Sequence, residues 1–254
     1  MEYNVRTDLA RSAGIVALGV AASVVLSTAL AARAYRGRAV DASRRIETLD
    51  VKGLARQRIM SDVAVWRIDV KGEGETLQAS FAALEKGLGG IRAFLNERSF
   101  EEGEIVIGAI RTETHYARDG DGRRTRDVTG YTLQRSVSVT SGALERVATA
   151  AGKVTELIRE GILVVSQPPE YYYSRVADLK IALMGMASED ARARADAIAR
   201  KAGCRVGAVR DARMGVLQVT RPHSMDVSSY GVYDTSTIAK DVRAVVSLTF
   251  QIEN

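Results

Sequence analysis

Apolar and polar positions divide the chain into one long apolar segment near its start and a body with alternating patterns. Residues 12–32 form an uncharged run of 21 residues between Arg11 and Arg33. As a helix this run would rise about 31 Å, which matches a hydrocarbon core of about 30 Å. It has no polar face, so a buried helix of a soluble protein is the weaker interpretation. The pattern predicts a leader at 1–11 and a transmembrane anchor at 12–32.

A cleaved signal peptide is the alternative for this segment. Ala29, Leu30 and Ala31 provide a small-x-small cleavage sequence. However, Glu2 and Asp8 remove the clear positive charge that a signal peptide carries before its apolar part, and the apolar run is longer than usual. We therefore expect the segment to be retained in the membrane.

The body at 46–254 follows a basic linker at 33–45, and its apolar periodicity predicts strands and helices. A period of two residues predicts strands at 46–59, 62–72, 104–115, 130–140, 162–166, 205–220 and 238–252. Steps of three and four residues predict amphipathic helices at 77–95, 143–160 and 177–202. Thr76 is the predicted N-cap of the first helix, and Gly161 and Gly203 the stops of the other two.

The element order ββαββαβαββ is typical of an α+β fold, in which three amphipathic helices cover one face of a mainly antiparallel sheet. The polar, glycine-rich stretch at 119–126 is predicted to be a hairpin loop.

Composition narrows the function classes. The chain has 254 residues, 46% hydrophobic and 26% charged, with a net charge of +5, so it is ordinary globular material with a scattered basic excess. Cys204 is the only cysteine, which excludes an internal disulfide framework and a thiolate zinc cage. In the far half of the third helix, acids alternate with arginines at helical neighbour spacing. Pairing within the helix explains that pattern better than nucleic-acid binding does.

Two glycine-containing stretches resemble ligand loops only in part. Gly72 and Gly74 precede a helix as in a dinucleotide-binding loop, but Leu77 stands at the third glycine position. Asp119-Gly120-Asp121 resembles the start of a calcium loop, but Arg124 occupies the position that requires glycine. We interpret the first as a turn before a helix and the second as a hairpin tip.

Positive evidence for catalysis is absent from the sequence. His115 and His223 are the only histidines and stand far apart, and no nucleophile-elbow, zinc-protease or phosphate-loop motif occurs. We expect no catalytic residues, metal or cofactor, although a site built from dispersed residues remains open.

The triplet Tyr171, Tyr172 and Tyr173 follows two prolines and is a candidate oligomer interface, because large amphipathic rings are enriched at such surfaces. In a strand, alternation would bury at least one of these rings in the core. Core and interface both remain open at this point.

Several short sequences in the body indicate a known family by their order and spacing. They are Val51-Lys52-Gly53-Leu54-Ala55, Ser61-Asp62-Val63-Ala64-Val65-Trp66, Phe94-Leu95, Glu104-Ile105, Tyr131, Val137, Leu179-Lys180, Asp190-Ala191-Arg192-x-Arg194-Ala195, Met214-Gly215-Val216 and Asp234-Thr235-Ser236-Thr237-Ile238. In these sequences the body resembles the SIMPL-domain (DUF541) family of bacterial envelope proteins, to which a Brucella periplasmic immunogen belongs.

The resemblance implies an α+β envelope domain that forms ring-like homo-oligomers, sometimes connected to stress tolerance, without established catalytic residues or cofactors. It also implies a body outside the inner membrane. The positive-inside rule favours a cytoplasmic body instead, because five arginines follow the apolar segment. If the body lies outside the inner membrane, as the resemblance implies, Arg33, Arg36 and Arg38 can contact anionic lipid headgroups.

The sequence thus favours a membrane-anchored, self-assembling envelope protein with a scaffolding or channel-like role, whose partners are further copies of itself and the bilayer. An envelope sensor that binds a small ligand is one alternative, and a hydrolase with a dispersed site is another.

Overall fold

The computed structural model describes residues 47–226 and 228–253, together with the short helical pieces 27–28 and 31–32. The predicted leader and the basic linker lie outside these residues, as does most of the predicted anchor at 12–32. Arg33, Arg36 and Arg38 also lie outside them. Among the described helices, none combines the length and the apolar character needed to cross a bilayer.

Two sheets and three long helices make up the described body. The strands are β1 (Thr48–Met60), β2 (Val63–Gly74), β3 (Ile105–Arg118), β4 (Arg124–Ser141), β5 (Leu163–Ser166), β6 (Glu170–Tyr172), β7 (Arg205–Met214), β8 (Gln218–Thr220), β9 (Val232–Tyr233) and β10 (Ala239–Glu253). The helices are α1 (Leu77–Glu97), α2 (Leu144–Lys153) and α3 (Val176–Ala202), with 3-10 turns at Glu102–Glu104 and Val154–Glu160.

The central sheet is built from the middle of the chain, in the order β3-β4-β2-β5, with β6 pairing beside β5 on β2. All of its pairs are antiparallel. Its core forms because β2 alternates strictly: Ala64, Trp66, Ile68 and Val70 are fully buried under α1 and α2. Trp66 also donates its indole N–H to the hydroxyl of Ser166 at 3.0 Å.

The terminal sheet joins the two ends of the body. In it, β10 pairs with β1 along one side and with β7 and β8 along the other, and β8 also pairs in parallel with β9. One face of this sheet packs against α3. The helix buries a stripe with a spacing of four residues, Leu179, Leu183, Ala187, Ala191, Ala195 and Ala199.

Small residues on this stripe let α3 lie very close to β1. A Cβ atom added at Gly53 would stand 1.9 Å from the backbone oxygen of Ala187, closer than any real contact. Gly72 has the same role in the central sheet, where an added Cβ atom would stand 2.2 Å from the backbone oxygen of Ser80 on α1. The Gly72-x-Gly74 sequence therefore provides close helix packing, which agrees with its interpretation as structural.

Several predicted boundaries are confirmed. Thr76 caps α1 by accepting a hydrogen bond from the N–H of Ala79, and Gly161 and Gly203 adopt the left-handed conformation at the predicted stops. The paired charges of α3 are also confirmed, since Asp190 pairs with Arg194. The second predicted helix is wrong in its far part, because α2 gives way to a 3-10 turn at Val154.

The predicted α+β fold with mainly antiparallel strands and three helices is confirmed, and the structure divides the strands between two sheets. β1 and β2 follow one another in sequence but lie in different sheets, so their shared turn passes the chain from one core to the other. The strand predicted at 205–220 is divided into β7 and β8. The division occurs at Gly215, whose N–H donates to the oxygen of Val245 at 2.9 Å.

Candidate functional site

The tyrosine triplet lies where the two sheets meet. Because alternate strand residues point to opposite faces, Tyr171 is buried in the central core while Tyr172 points away from it. The Tyr172 ring stacks on Tyr233, with centroids 6.2 Å apart. Tyr173 packs against the terminal core. The three rings thus divide between both cores and a partly exposed aromatic pair.

Backbone hydrogen bonds connect the two sheets around these rings. The N–H of Tyr171 donates to the oxygen of Thr235 at 2.7 Å, and the N–H of Ser61 donates to that of Ile238 at 2.8 Å. The carboxylate of Asp62 accepts from both the N–H and the hydroxyl of Ser174. We call residues 61–62, 171–174 and 233–238 the junction.

A buried lysine holds one side of the junction. The Lys240 side chain is fully buried, and its Nζ donates to the backbone oxygens of Asp234 at 2.6 Å and Thr237 at 2.7 Å. Burial lowers the pKa of this ammonium, and the nearby Asp234 carboxylate opposes part of that change. With two carbonyl partners Lys240 fixes the loop at 234–238, a role that its place in a strand pattern did not indicate.

The neighbouring residue, Asp241, is a buried anion with its own cations. Its side chain is 1% exposed and accepts hydrogen bonds from Arg56 and from Arg58, the latter at 2.9 Å. The hydrogen bond from Arg58, reinforced by Arg56, holds the pKa of Asp241 well below its usual range. A carboxylate so firmly ionised and occupied is a poor general base.

The histidines are in separate places. His115 lies on β3, with Nε2 2.7 Å from the hydroxyl oxygen of Thr132, in a groove that also includes Glu73 and Glu75. His223 lies in the loop between β8 and β9, with a positive φ of 64°. The structure therefore does not bring the two together.

The suspected calcium loop is a hairpin turn. One carboxylate oxygen of Asp119 accepts hydrogen bonds from the N–H groups of Asp121 and Arg123, so the side chain shapes the turn. Within residues 47–226 and 228–253, no cluster of three or more His, Cys, Asp or Glu side chains has the arrangement to hold a metal ion.

A shallow groove of about 300 Å³ lies beside the junction. Its lining includes Arg67, Pro168, Pro169, Glu170 and Ser236, so it combines one cation, one anion and apolar rings. This volume is at the lower limit of small-molecule sites.

The edges of the sheets differ in their ability to pair with another chain. On one side the central sheet ends in β5 and β6, strands of four and three residues. Pro168 and Pro169 lie between them and have no N–H to donate. Short strands and prolines protect an edge against further pairing.

Groups on α3 cover single positions at the two edges of the terminal sheet. The outer N–H of Leu54 on β1 donates to the Asp190 carboxylate at 2.8 Å. On the other side Arg192 donates to the backbone oxygens of Val206 and Gly207 on β7, each at 3.0 Å. The strand beyond β8, β9, has only two residues.

The outer edge of β3 is the longest edge among the described strands. β3 has 14 residues and pairs only with β4. Register shifts after Ile107 and His115 leave a regular stretch at 110–115. Val106 is 63% exposed and Ile110 39%, so apolar side chains accompany the free backbone. A long edge of this kind is a template for another strand.

Beyond the central sheet, β3 and β4 continue as a two-stranded arm. β2 ends its pairing at Gly74 opposite Tyr131, whereas β3 and β4 remain paired as far as Arg118 and Arg124. We call residues 115–130 the arm. A hairpin alone is only marginally stable in water, so the arm would be stabilised by contact with a further surface.

The family to which this architecture belongs is shown by comparison. The model of the SIMPL family, described as a protein of unknown function (DUF541), matches residues 49–250. The chain belongs to the SIMPL family. The match runs from β1 to β10, so both sheets and the junction are part of the SIMPL domain. The more specific relation to the Brucella immunogen stays a prediction.

Other comparisons with the SIMPL chain are uninformative. No curated protein matches it. One solved structure with local similarity is a proposed aminohydrolase from methicillin-resistant Staphylococcus aureus, at 11% identity and a TM-score of 0.25. The alignment covers 48% of this chain and 31% of that protein. A likeness at this level supports no argument about fold or activity.

Proposed function

We propose that this SIMPL protein is a membrane-anchored envelope protein that assembles with copies of itself and acts without catalysis. The body would pair with neighbouring bodies and serve as a scaffold or enclose a channel-like space. The observation that supports self-assembly is the outer edge of β3, a strand of 14 residues that pairs only with β4 and exposes the apolar side chains of Val106 and Ile110.

The assembly would form by strand addition. Residues 110–115 on one copy pair with an exposed strand of the next, and main-chain hydrogen bonds supply the affinity. Ile110, at the start of this stretch, then loses contact with water, which adds an apolar contribution. The arm at 115–130 extends the same edge and gains a surface on which to pack.

The test is the mass of the full chain, extracted in detergent and measured by mass photometry at micromolar concentration. We expect the wild-type protein to form a defined oligomer and the double variant Val106→Lys, Ile110→Lys to dissociate, because lysines on an edge strand oppose pairing. The matched control is Leu163→Lys with Val165→Lys, which places two lysines on the opposite edge at side chains of similar exposure.

Two results would contradict the proposal. A wild-type protein that is monodisperse and monomeric excludes self-assembly at that concentration. An unchanged oligomer in the Val106→Lys, Ile110→Lys protein, with Trp66 fluorescence showing an intact central core, excludes β3 as the contact.

The anchor and the location of the body are part of the proposal and need separate measurements. The resemblance implies a body outside the inner membrane, and the apolar run at 12–32 supports a retained single span. The intact mass of protein extracted from membranes decides between a retained segment and cleavage after Ala31. Protease digestion of spheroplasts shows on which side the body lies.

The groove beside the junction favours a second candidate, an envelope sensor with a small ligand. Its opposite charges, Arg67 and Glu170, suit a zwitterionic or polar molecule. Thermal-shift screening tests this candidate, because a ligand that binds only the folded protein raises the melting temperature. Arg67→Ala should abolish any such shift.

A further inference from the structure

The face of the terminal sheet that points away from α3 is exposed along β1, while the loop after β8 covers it in part at Arg243, which donates to the backbone oxygen of Ser224. Alternate residues of β1 point to α3, where Gly53 meets Ala187, so their neighbours Lys52, Leu54 and Arg56 point to the other side. In the register of the sheet, Leu54 lies directly opposite Val245 on β10. Leu54 is 47% exposed and Val245 38%.

Basic side chains surround this apolar pair. Lys52 and Arg213 both lie opposite Ser247, on one side of the pair, and Arg56 lies opposite Arg243 on the other. We define the basic face as Lys52, Leu54, Arg56, Arg58, Met60, Arg213, Arg243 and Val245. Its acids are Asp50, Asp211 and Asp241.

The acids offset part of this positive charge. Asp241 pairs with both Arg56 and Arg58, whose side chains remain about half exposed. Asp211 pairs with Arg213, a side chain that is itself 83% exposed. The five basic residues of the face exceed its three acids by two, so the outward surface is basic, with apolar side chains in its middle.

We infer that the basic face is the surface by which the body rests on an anionic phospholipid bilayer. This inference rests on the anchored function proposed above and adds the orientation of the body on the membrane. Basic residues near an anionic leaflet attract its headgroups, and exposed apolar side chains between them enter the interfacial layer.

The position of the basic face along the chain supports a lipid partner. β1, which carries Lys52, Leu54 and Arg56, is the first strand after the linker at 33–45. A linker of that length spans at most about 45 Å when fully extended, so the body must stay near the surface in which 12–32 is embedded. The linker arginines add charge of the same sign.

A second copy fits the basic face less well. Two such faces placed against each other would oppose arginines with arginines and bury them, and like charges at an interface are costly. A surface of opposite charge removes that cost.

The experiment measures the proximity of the face to lipid in the full chain, reconstituted in nanodiscs. In a Cys204→Ser background, Val245→Cys is labelled with a fluorophore, and the discs contain a headgroup nitroxide quencher. The matched control is Ile181→Cys on α3, a residue that is 72% exposed on the other side of the same sheet.

We expect strong quenching of the label at 245, and little at 181, in discs that contain phosphatidylglycerol. Quenching should be lost in phosphatidylcholine discs and at about 1 M salt, where the Debye length is about 3 Å. The double variant Lys52→Glu, Arg213→Glu should lower the fraction of bodies that rest on the bilayer by about tenfold or more, because each basic residue strengthens binding to an anionic surface by a factor of about five.

Each contrary result has a distinct meaning. Equal quenching at 245 and 181 in anionic discs that retain the chain overturns the inference and leaves the anchored function intact. Shielding of the label at 245 in detergent without lipid, increasing with protein concentration, shows a second copy on the face and also overturns it. Loss of the chain from the discs in size-exclusion chromatography overturns the anchored function and this inference together.

Discussion

The carboxylate of Asp62 accepts two hydrogen bonds from Ser174, one from its N–H and one from its hydroxyl, each 2.7 Å long. Asp62 lies in the turn between β1 and β2, and Ser174 lies just before α3. At each of these places the chain crosses between the central and the terminal sheet. The Asp62–Ser174 pair therefore links the two segments in which the chain passes from one sheet to the other.

Replacing Asp62 by alanine should weaken the coupling of the two sheets. The Ser174 donors lose a charged acceptor, and we expect the free energy of unfolding to fall by about 2 kcal/mol. The measurement is urea denaturation followed by Trp66 fluorescence, which reports the central core, and by far-UV circular dichroism, which reports both sheets. Asp121→Ala at the hairpin tip is the control and should change stability by less than about 0.5 kcal/mol. Equal stabilities for the Asp62 and Asp121 variants would show that the hydrogen bonds between Asp62 and Ser174 do not stabilise the contact between the sheets.

Asp241→Asn should lose stability in a manner that depends on pH. The hydrogen bonds from Arg58 and Arg56 lower the pKa of Asp241 in the folded protein below the ordinary value of 3.8. A depressed carboxylate pKa adds stability that is complete above the unfolded pKa and is lost as pH falls below it.

The difference in unfolding free energy between wild type and Asp241→Asn should therefore be about 2 kcal/mol at neutral pH and shrink toward pH 2. Denaturation series at several pH values measure it. A difference that stays constant, or grows on acidification, would mean that the ion pairs contribute nothing specific.

The parts of the fold that could be predicted from the sequence are those that depend on local patterns. The apolar steps from Leu84 to Leu95 predict the buried face of α1, whereas Leu77 and Phe81, at the start of the same pattern, are exposed. Gly203 predicts the end of α3 because glycine enters the left-handed region easily. Both signals depend on neighbours in sequence. They need no knowledge of which strand pairs with which.

The division into two sheets was not predictable from these signals. Alternation in β1 and β2 looks the same whether the strands pair with each other or with β10 and β4. The junction depends on the same distant pairings: Lys240 reads as one polar residue in an apolar strand, and its two carbonyl partners come from the folded loop. The tyrosine triplet gave a real but ambiguous signal, since its rings serve both cores and the junction.

Lys240→Met should destabilise the junction. Methionine keeps much of the apolar stem but leaves the partly buried backbone oxygens of Asp234 and Thr237 without this donor, which costs about 3 kcal/mol in total. Hydrogen exchange should rise first in 234–238, which is the segment that the ammonium holds. Lys180→Met, an exposed position on α3, is the matched control and should change stability by less than about 0.5 kcal/mol. Unchanged exchange at 234–238 would show that the loop is held without Lys240.

Gly53→Ala tests the close packing of α3 on β1. The added methyl group would stand 1.9 Å from the backbone oxygen of Ala187 and 2.6 Å from the backbone nitrogen of Ala191, neither of which can rotate away. The helix must therefore move, and we expect a loss of about 3 kcal/mol or more, at the upper end of overpacking costs.

Gly185→Ala is the matched control in α3 itself, because an added Cβ atom there meets nothing within 4 Å. That substitution should raise the free energy of unfolding by about 1 kcal/mol, since alanine favours a helix interior over glycine. Thermal or urea unfolding measures both variants. If Gly53→Ala is as stable as wild type, α3 does not lie as close to β1 as the geometry requires. The assignment of the basic face to the side of β1 opposite α3 would then lose its support.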